Sequence, residues 1–359
     1  MKTAIYGFLF VFLLSSSMLV TAQSYTITDL GVLKGDNESS GFWINNNGDV
    51  VGCSDTETSE GYPCTGTVSG QHAFLWTKSG GLKDLGTLSG ATISGAIGIN
   101  DANVVVGYSN VKGKPATNFV AVQWSGSGAI TNLGTLSGGS SSAAFEINSA
   151  GEIAGDSFLS SGVVDATSWT SNKIKSLGAL PGAIFTAGLD INEGGHVVGE
   201  SVFSYGPPFI SHAFVWNGAA MKDLGTLPGG TSSIANSINS NGAIAGQSNG
   251  SSTGVNWHAV KWNTGHVIQD LGVLSRGTYS IGFAINDPGT IVGYANTYTN
   301  AAHAILWTES KGMQDLNSLI PVNSGWVLVN ANAINNVGQI TGYGIKNGKN
   351  HAFVLTPTD

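Results

Sequence analysis

The chain has 359 residues, only 10% of them charged and 52 of them glycine. At 41% hydrophobic it is too apolar to be a disordered segment. Its formal net charge of −8, with no basic patch to neutralise phosphates, excludes a nucleic-acid partner.

Residues 1–22 read as a secretory leader. Lys2 supplies the positive start and Ala4 to Leu14 the apolar run. Val20-Thr21-Ala22 is a small-residue cleavage site before Gln23. An uncleaved membrane anchor is the competing reading, but the run is short for a span. No Cys follows the cleavage site, so a lipid anchor is not expected. No later stretch reaches the roughly 18 apolar residues of a transmembrane helix. The expected product is residues 23–359, a single monomeric domain exported to the periplasm or the medium. Loss of Lys2 takes the formal charge from −8 to −9.

Tyr25 to Gly31 opens a repeat that recurs seven times. Its Asp-Leu-Gly element stands at Asp29, Asp84, Asp223, Asp270 and Asp315, and in altered form at Asn132 and Ser176. Fourteen residues after the Gly comes an Asn in six copies, Asn45, Asn100, Asn148, Asn192, Asn239 and Asn286. In the last copy Asn317 replaces the Gly and the step to Asn335 is 18. Seven residues after each Asn stands a Gly, from Gly52 to Gly342. Three residues after the Asn stands Gly or, once, Asn103, so a positive φ and a tight hairpin turn are expected there. The Asn itself is expected to hydrogen-bond its own turn.

A further strand, His72 to Trp76, recurs up to His351-Ala352-Phe353-Val354-Leu355. Trp76, Trp124, Trp169, Trp216, Trp262 and Trp307 end it in six copies and are expected to fill the space between units. Each repeat therefore holds four strands in about 47 residues. That arithmetic predicts an all-β, seven-bladed β-propeller of four-stranded blades. A parallel β-helix would need about half that period. The chain starts on one strand of the unit and ends on its hairpin partner. Residues 26–31 should therefore pair with 351–355 and close the ring.

Five copies of the third strand begin with His, and five copies of the fourth carry Asp. The exceptions coincide, Val120 with Asn132 and Asp165 with Ser176. This predicts cross-strand pairs of His72 with Asp84, His212 with Asp223, His258 with Asp270, His303 with Asp315 and His351 with Asp29. Wholesale divergence of repeats two and three is the alternative. Because a catalytic triad needs one such pair, a fivefold repeat argues for a structural role.

Cys53 and Cys64, the only two cysteines, read in an exported chain as a local disulfide. The alternative is two reduced thiols. Asp36, Glu38, Asp55 and Glu57 suggest an acidic patch or calcium site, but no EF-hand spacing is present. No metal, cofactor or catalytic motif is expected. The long-loop face is the expected binding surface, with exposed aromatics Tyr205, Phe209, Trp257, Tyr298 and Trp326 as candidates. The leucines from Leu33 to Leu319 are expected to plug the other loops on that face into the core.

The unit HAFLWT, GLKDLGTL, GIN, VVGYS resembles the HAF family of bacterial extracellular repeats. His-Ala-Phe itself stands at His72, His212 and His351. The resemblance spans about 25–355 and implies an exported bacterial repeat protein, without assigning a substrate. Some relatives carry a C-terminal sorting segment. This chain ends at Thr356-Pro357-Thr358-Asp359, so release is expected. The expected function is non-enzymatic recognition of a carbohydrate or protein outside the cell. A glycan-degrading enzyme is the alternative, with Glu152, Asp156, Asp190, Glu193 and Glu200 as candidate carboxylates. Only Asp156 and Glu200 fall near the loop face. A purely structural extracellular protein is the third reading.

Overall fold

The computed structural model describes residues 24–56, 64, 70–115, 118–126, 128–250 and 256–358. The expected leader lies outside them, as do Glu57 and most of the loop between Ser54 and Gln71. Among the described residues all regular structure is strand, paired antiparallel save for one parallel bridge, apart from one short 3-10 turn at Leu316–Ser318. In each repeat four strands run side by side. Repeat two is typical, with Ser94–Ile99, Val105–Asn110, Phe119–Trp124 and Ile130–Gly134 in that spatial order. The first strands of successive repeats contact one another around a ring, Glu38–Ile44 meeting both Ser94–Ile99 and Trp326–Ile334.

The expected count of seven separate blades is corrected. The strands form five four-stranded sheets and one of eight. In the eight-stranded sheet, repeat three (Ser142 to Gly178) joins repeat four (Phe185 to Asp223) through a parallel bridge from Val164 to Phe185. The cause is local. A tight turn, with the Leu159 N–H on the Val163 carbonyl, carries the hairpin of repeat three outward until Val164 reaches Phe185.

Tyr25–Gly31 pairs antiparallel with Lys349–Pro357, Thr26 opposite Thr356 and Asp29 opposite Phe353. A sheet edge is covered, and the two ends of the chain are tied together. Hydrophobic clusters lie between neighbouring repeats. The repeated tryptophans belong to them. The indole N–H groups of Trp169 and Trp262 reach the preceding repeats, donating to the carbonyls of Leu133 and Leu224, both at 3.0 Å. The loop leucines are partly or fully buried, and Leu88 donates its N–H to Ser109 Oγ at 3.2 Å.

Every first strand carries a bulge, and this explains the Gly seven residues after each Asn. A Cβ on Gly342 would lie 1.9 Å from the Asn330 carbonyl oxygen, and the equivalent Gly in each other repeat meets the same obstacle. The hairpin turn has positive φ at Gly48 (83°) and at Asn103 (57°), the one copy without Gly.

A serine that the sequence reading did not single out links the repeats. Ser94 Oγ donates to the Gly86 carbonyl at 2.8 Å and accepts the Ala73 N–H at 3.0 Å. It thereby holds the third and fourth strands of one repeat to the first strand of the next. Ser39, Ser142, Ser233 and Ser280 do the same. Cys53 and Cys64 are disulfide-bonded. Among the described residues no helix is long and apolar enough to cross a membrane.

Candidate functional site

The repeat asparagines converge on the ring axis. Each Oδ1 accepts main-chain N–H groups of its own hairpin turn. Asn45, for example, caps Asn47 and Asp49 at 3.1 and 2.9 Å. Each Nδ2 donates to the main-chain carbonyl of the Asn in the next repeat. The chain of bonds runs 45 to 100, 148, 192, 239, 286 and 335, and Asn335 returns to Asn45, with lengths of 2.9–3.2 Å. Only Asn fits this place. Asp has no donor, and the longer Gln would not reach its own turn. The own-turn half was legible in the sequence, and the neighbour half was not.

The ring frames a depression of about 140 Å³ at the channel mouth. Its rim carries Asp101, Glu193 and Asp287 one residue beyond the ring, and deeper in stand Glu146, Asp190 and Ser237, two residues before it. Asp101 accepts the Asn46 N–H at 2.8 Å and Asp287 that of Ser240 at 2.8 Å. Glu193 takes the Ser149 N–H and hydroxyl. Glu152 Oε2 accepts the Asn148 side-chain N–H at 2.9 Å. The five candidate carboxylates are thus split. Glu152, Asp190 and Glu193 belong to the channel-mouth side, while Asp156 and Glu200 do not line that depression.

Asp156 and Glu200 occupy equivalent places in the second strands of repeats three and four. Burial pushes both carboxyls up to about 7. Glu200 Oε2 has no hydrogen-bond partner among the described residues. Burial and the neighbouring Glu200 carboxyl together raise the Tyr205 hydroxyl. Tyr205 is 64% exposed, and its ring centroid lies 6.5 Å from that of Phe209, itself 37% exposed.

The same sector exposes two apolar residues that the sequence reading missed, Phe158 and Ile184. Phe158 pairs with Val164, Val164 bridges to Phe185, and the Ile184 N–H donates to the Val202 carbonyl at 2.8 Å. They run across the junction of the eight-stranded sheet. An isolated Ile after Leu180-Pro181-Gly182-Ala183 was the only hint in the sequence.

Tyr298 is 74% exposed but stands in a different repeat. Trp257 is partly buried at the start of Trp257–Trp262. Trp326 is corrected. It is only 8% exposed, packs edge-on against His351 and Phe353, and has Lys346 Nζ 5.3 Å from its ring centroid. The expected acidic patch is corrected as well. Glu38 and Asp55 are buried, Glu38 accepting the Asn350 carboxamide at 3.1 Å and Asp55 the Cys64 N–H at 3.0 Å.

Each His meets its Asp across paired strands, within one hairpin for His72, His212, His258 and His303 and across the closure for His351 and Asp29. Nδ1 lies 2.9 Å from the carboxylate in His72–Asp84, 2.7 Å in His212–Asp223 and 2.9 Å in His258–Asp270. The separation is 2.6 Å in His303–Asp315 and 3.0 Å in His351–Asp29. The carboxylate also caps its own turn, as Asp84 does for the Gly86 N–H at 2.7 Å. In repeat three the roles are exchanged, Ser176 Oγ donating to Asp165 at 2.7 Å. The Asp84 hydrogen bond raises His72, and His72 in turn lowers Asp84.

No family model matches the chain, and no curated protein matches it. Solved structures do match. The β-propeller domain of the trilobed protease from Pyrococcus furiosus superposes with a TM-score of 0.59 at 8% identity, over 90% of this chain and 98% of that one. This chain is a β-propeller. Puromycin hydrolase gives a TM-score of 0.54 at 10% identity, over 92% of this chain but 55% of its own. The extracellular domain of a one-component system from B. thetaiotaomicron gives 0.53 at 9% identity, over 94% of this chain and 40% of its own. At these identities the likeness is one of fold. The propeller therefore spans only part of the latter two proteins.

Proposed function

We propose that this is an exported, non-enzymatic binding propeller of HAF-repeat type, holding a carbohydrate on its long-loop face. The observation that carries the reading is the Tyr205–Phe209 pair. It presents two exposed rings beside the buried Glu200 carboxyl. An apolar ring face beside a hydrogen-bonding group suits a sugar, which has both a C–H face and hydroxyls. The repeated His–Asp pairs and the asparagine ring are the frame that holds this loop still. Export fits the Cys53–Cys64 disulfide.

The test applies residues 23–359 to a panel of bacterial and plant polysaccharides, following retention and release of soluble fragments together. Retention without release is expected. Retention lost in Tyr205→Ala and kept in Tyr298→Ala would place the ligand on the repeat-four loop. A second reading, glycan cleavage, draws on Asp156 and Glu200, whose burial gives them the raised values a general acid needs. Fragment release that disappears in Glu200→Gln would replace the first reading with the second.

A further inference from the structure

Asn-Gly steps stand at Asn47, Asn217, Asn241, Asn249 and Asn347. Asn is a chemically labile residue, and Gly after it has no Cβ to keep its nitrogen away from the carboxamide. For that nitrogen to attack, the carboxamide must first leave its own hydrogen bonds. The fold therefore decides which of these steps can react.

Four are held. Asn249 is 1% exposed, its Oδ1 accepts the N–H groups of Thr231 and Ser232 at 2.6 and 2.9 Å, and its Nδ2 donates to Thr231 Oγ1 at 3.0 Å. Asn47 and Asn241 are exposed, but each Nδ2 is tied to the next repeat, on the Asp101 carbonyl at 2.9 Å and the Asp287 carbonyl at 3.1 Å. Asn217 Oδ1 accepts the N–H groups of Ala219 and Ala220 at 3.1 and 3.0 Å.

Asn347 differs. It is exposed, and no hydrogen bond engages its carboxamide among the described residues. With Gly348 it makes a two-residue turn, φ 52° and 78°, between Lys346 and Lys349, which pair across it. That pairing leaves out the Gly348 N–H. A Cβ on Gly348 would meet nothing within 4 Å, so no neighbour shields the step.

We infer that Asn347 is a self-modifying site, converting with time to isoaspartate and aspartate while the fold protects the other four. The Gly348 nitrogen bonds to the Asn347 Cγ, the Cγ–Nδ2 bond breaks, and the Gly348 proton leaves with Nδ2 as ammonia. Water then opens the resulting succinimide. Opening at Cγ gives aspartate, and opening at the main-chain carbonyl gives isoaspartate, with the backbone one atom longer inside the turn. The new carboxylate stands in sequence between Lys346 and Lys349, whose Nζ groups reach Asp29 at 2.8 Å and Asn37 at 2.9 Å. The turn joins the second and third strands of its repeat, as the Tyr205 loop does, so the charge appears on the long-loop face.

The test keeps residues 23–359 in warm, mildly alkaline buffer and maps conversion by peptide mass spectrometry with isoaspartyl-specific methylation. In the folded chain, position 347 should convert at least tenfold faster than each of the other four. In urea the other four should rise toward it. Asn347→Gln should remove the fast-forming, one-charge-more-acidic species on ion exchange. An intact Asn347 in the aged folded chain, an unchanged tenfold gap in urea, or persistence of the acidic species in Asn347→Gln would each overturn the site. The first two readings use the wild-type chain and do not depend on whether a variant folds.

Discussion

Asn335 donates its side-chain N–H to the main-chain carbonyl of Asn45 at 2.9 Å, across 290 residues of chain. This bond closes the asparagine ring at the join between the two ends. Asn335 Oδ1 also accepts the Gln339 N–H at 2.8 Å, so one carboxamide holds its own turn and its neighbour. Asn335→Ala should cost about 2–3 kcal/mol, the sum of two or three buried hydrogen bonds. Asn47→Ala, at the exposed end of a turn, should cost under about 1 kcal/mol. Urea unfolding of both variants checks the contrast.

Asp29 is held by three different residues, accepting from Lys346 Nζ at 2.8 Å, His351 Nδ1 at 3.0 Å and the Gly31 N–H at 2.9 Å. Burial alone would raise its carboxyl, but these partners hold it below the usual range. Asp29→Ala should therefore destabilise by about 2 kcal/mol. The more exposed Asp270→Ala should cost about 1 kcal/mol or less. Equal losses in thermal melts would deny the join any special role.

Glycine at the bulge is fixed by approach rather than by turn geometry. Gly342→Ala puts a Cβ 1.9 Å from the Asn330 carbonyl and should destabilise by about 3 kcal/mol. Gly126→Ala meets nothing within 4 Å and should change stability by under about 0.5 kcal/mol. Chemical denaturation of the pair measures the difference.

Much of this frame was legible in the sequence because it repeats. Fixed steps from Gly to Asn to Gly imply fixed loops, and the coincident loss of His and Asp at Val120/Asn132 implies contact. What did not repeat was harder to read. The bridge from Val164 to Phe185 depends on one hairpin reaching further than the others. The burial of Trp326 depends on a strand that is nine residues long in the last repeat, against six in most first strands. The bonds between neighbouring asparagines depend on curvature around the axis, which no local pattern encodes. The linking serines did recur in register, but among so many Ser and Thr residues the signal was lost.

Trp326 and Tyr205 now separate cleanly. Trp326→Ala should lower stability by about 3 kcal/mol through lost packing on Phe353. Tyr205→Ala should leave the melting temperature within a few degrees and act on binding alone. Calorimetric melts beside a retention assay distinguish the two.

The pH dependence follows from Asp156 and Glu200. Unfolded, both titrate at about 4. Folded, burial raises both to about 7. Between those values the native state holds more protons than the unfolded one, so stability falls as pH rises from about 4 to 7. Asp84 and Asp315 act oppositely, since their lowered values withdraw stability as pH falls through the folded carboxylate values. The raised His72 and His303 add stability that is fully present below about 6.5 and lost as pH climbs through their folded values. The melting temperature should therefore peak in mildly acidic buffer, and Glu200→Gln should flatten its decline toward pH 7.

The most direct test of the whole account takes the polysaccharide best retained by residues 23–359 and compares wild type with Tyr205→Ala by affinity electrophoresis, while assaying soluble sugar. The account predicts retardation by wild type, at least tenfold weaker in the variant, with no fragments from either. Fragments released by wild type, or equal retardation of the two proteins, would contradict it.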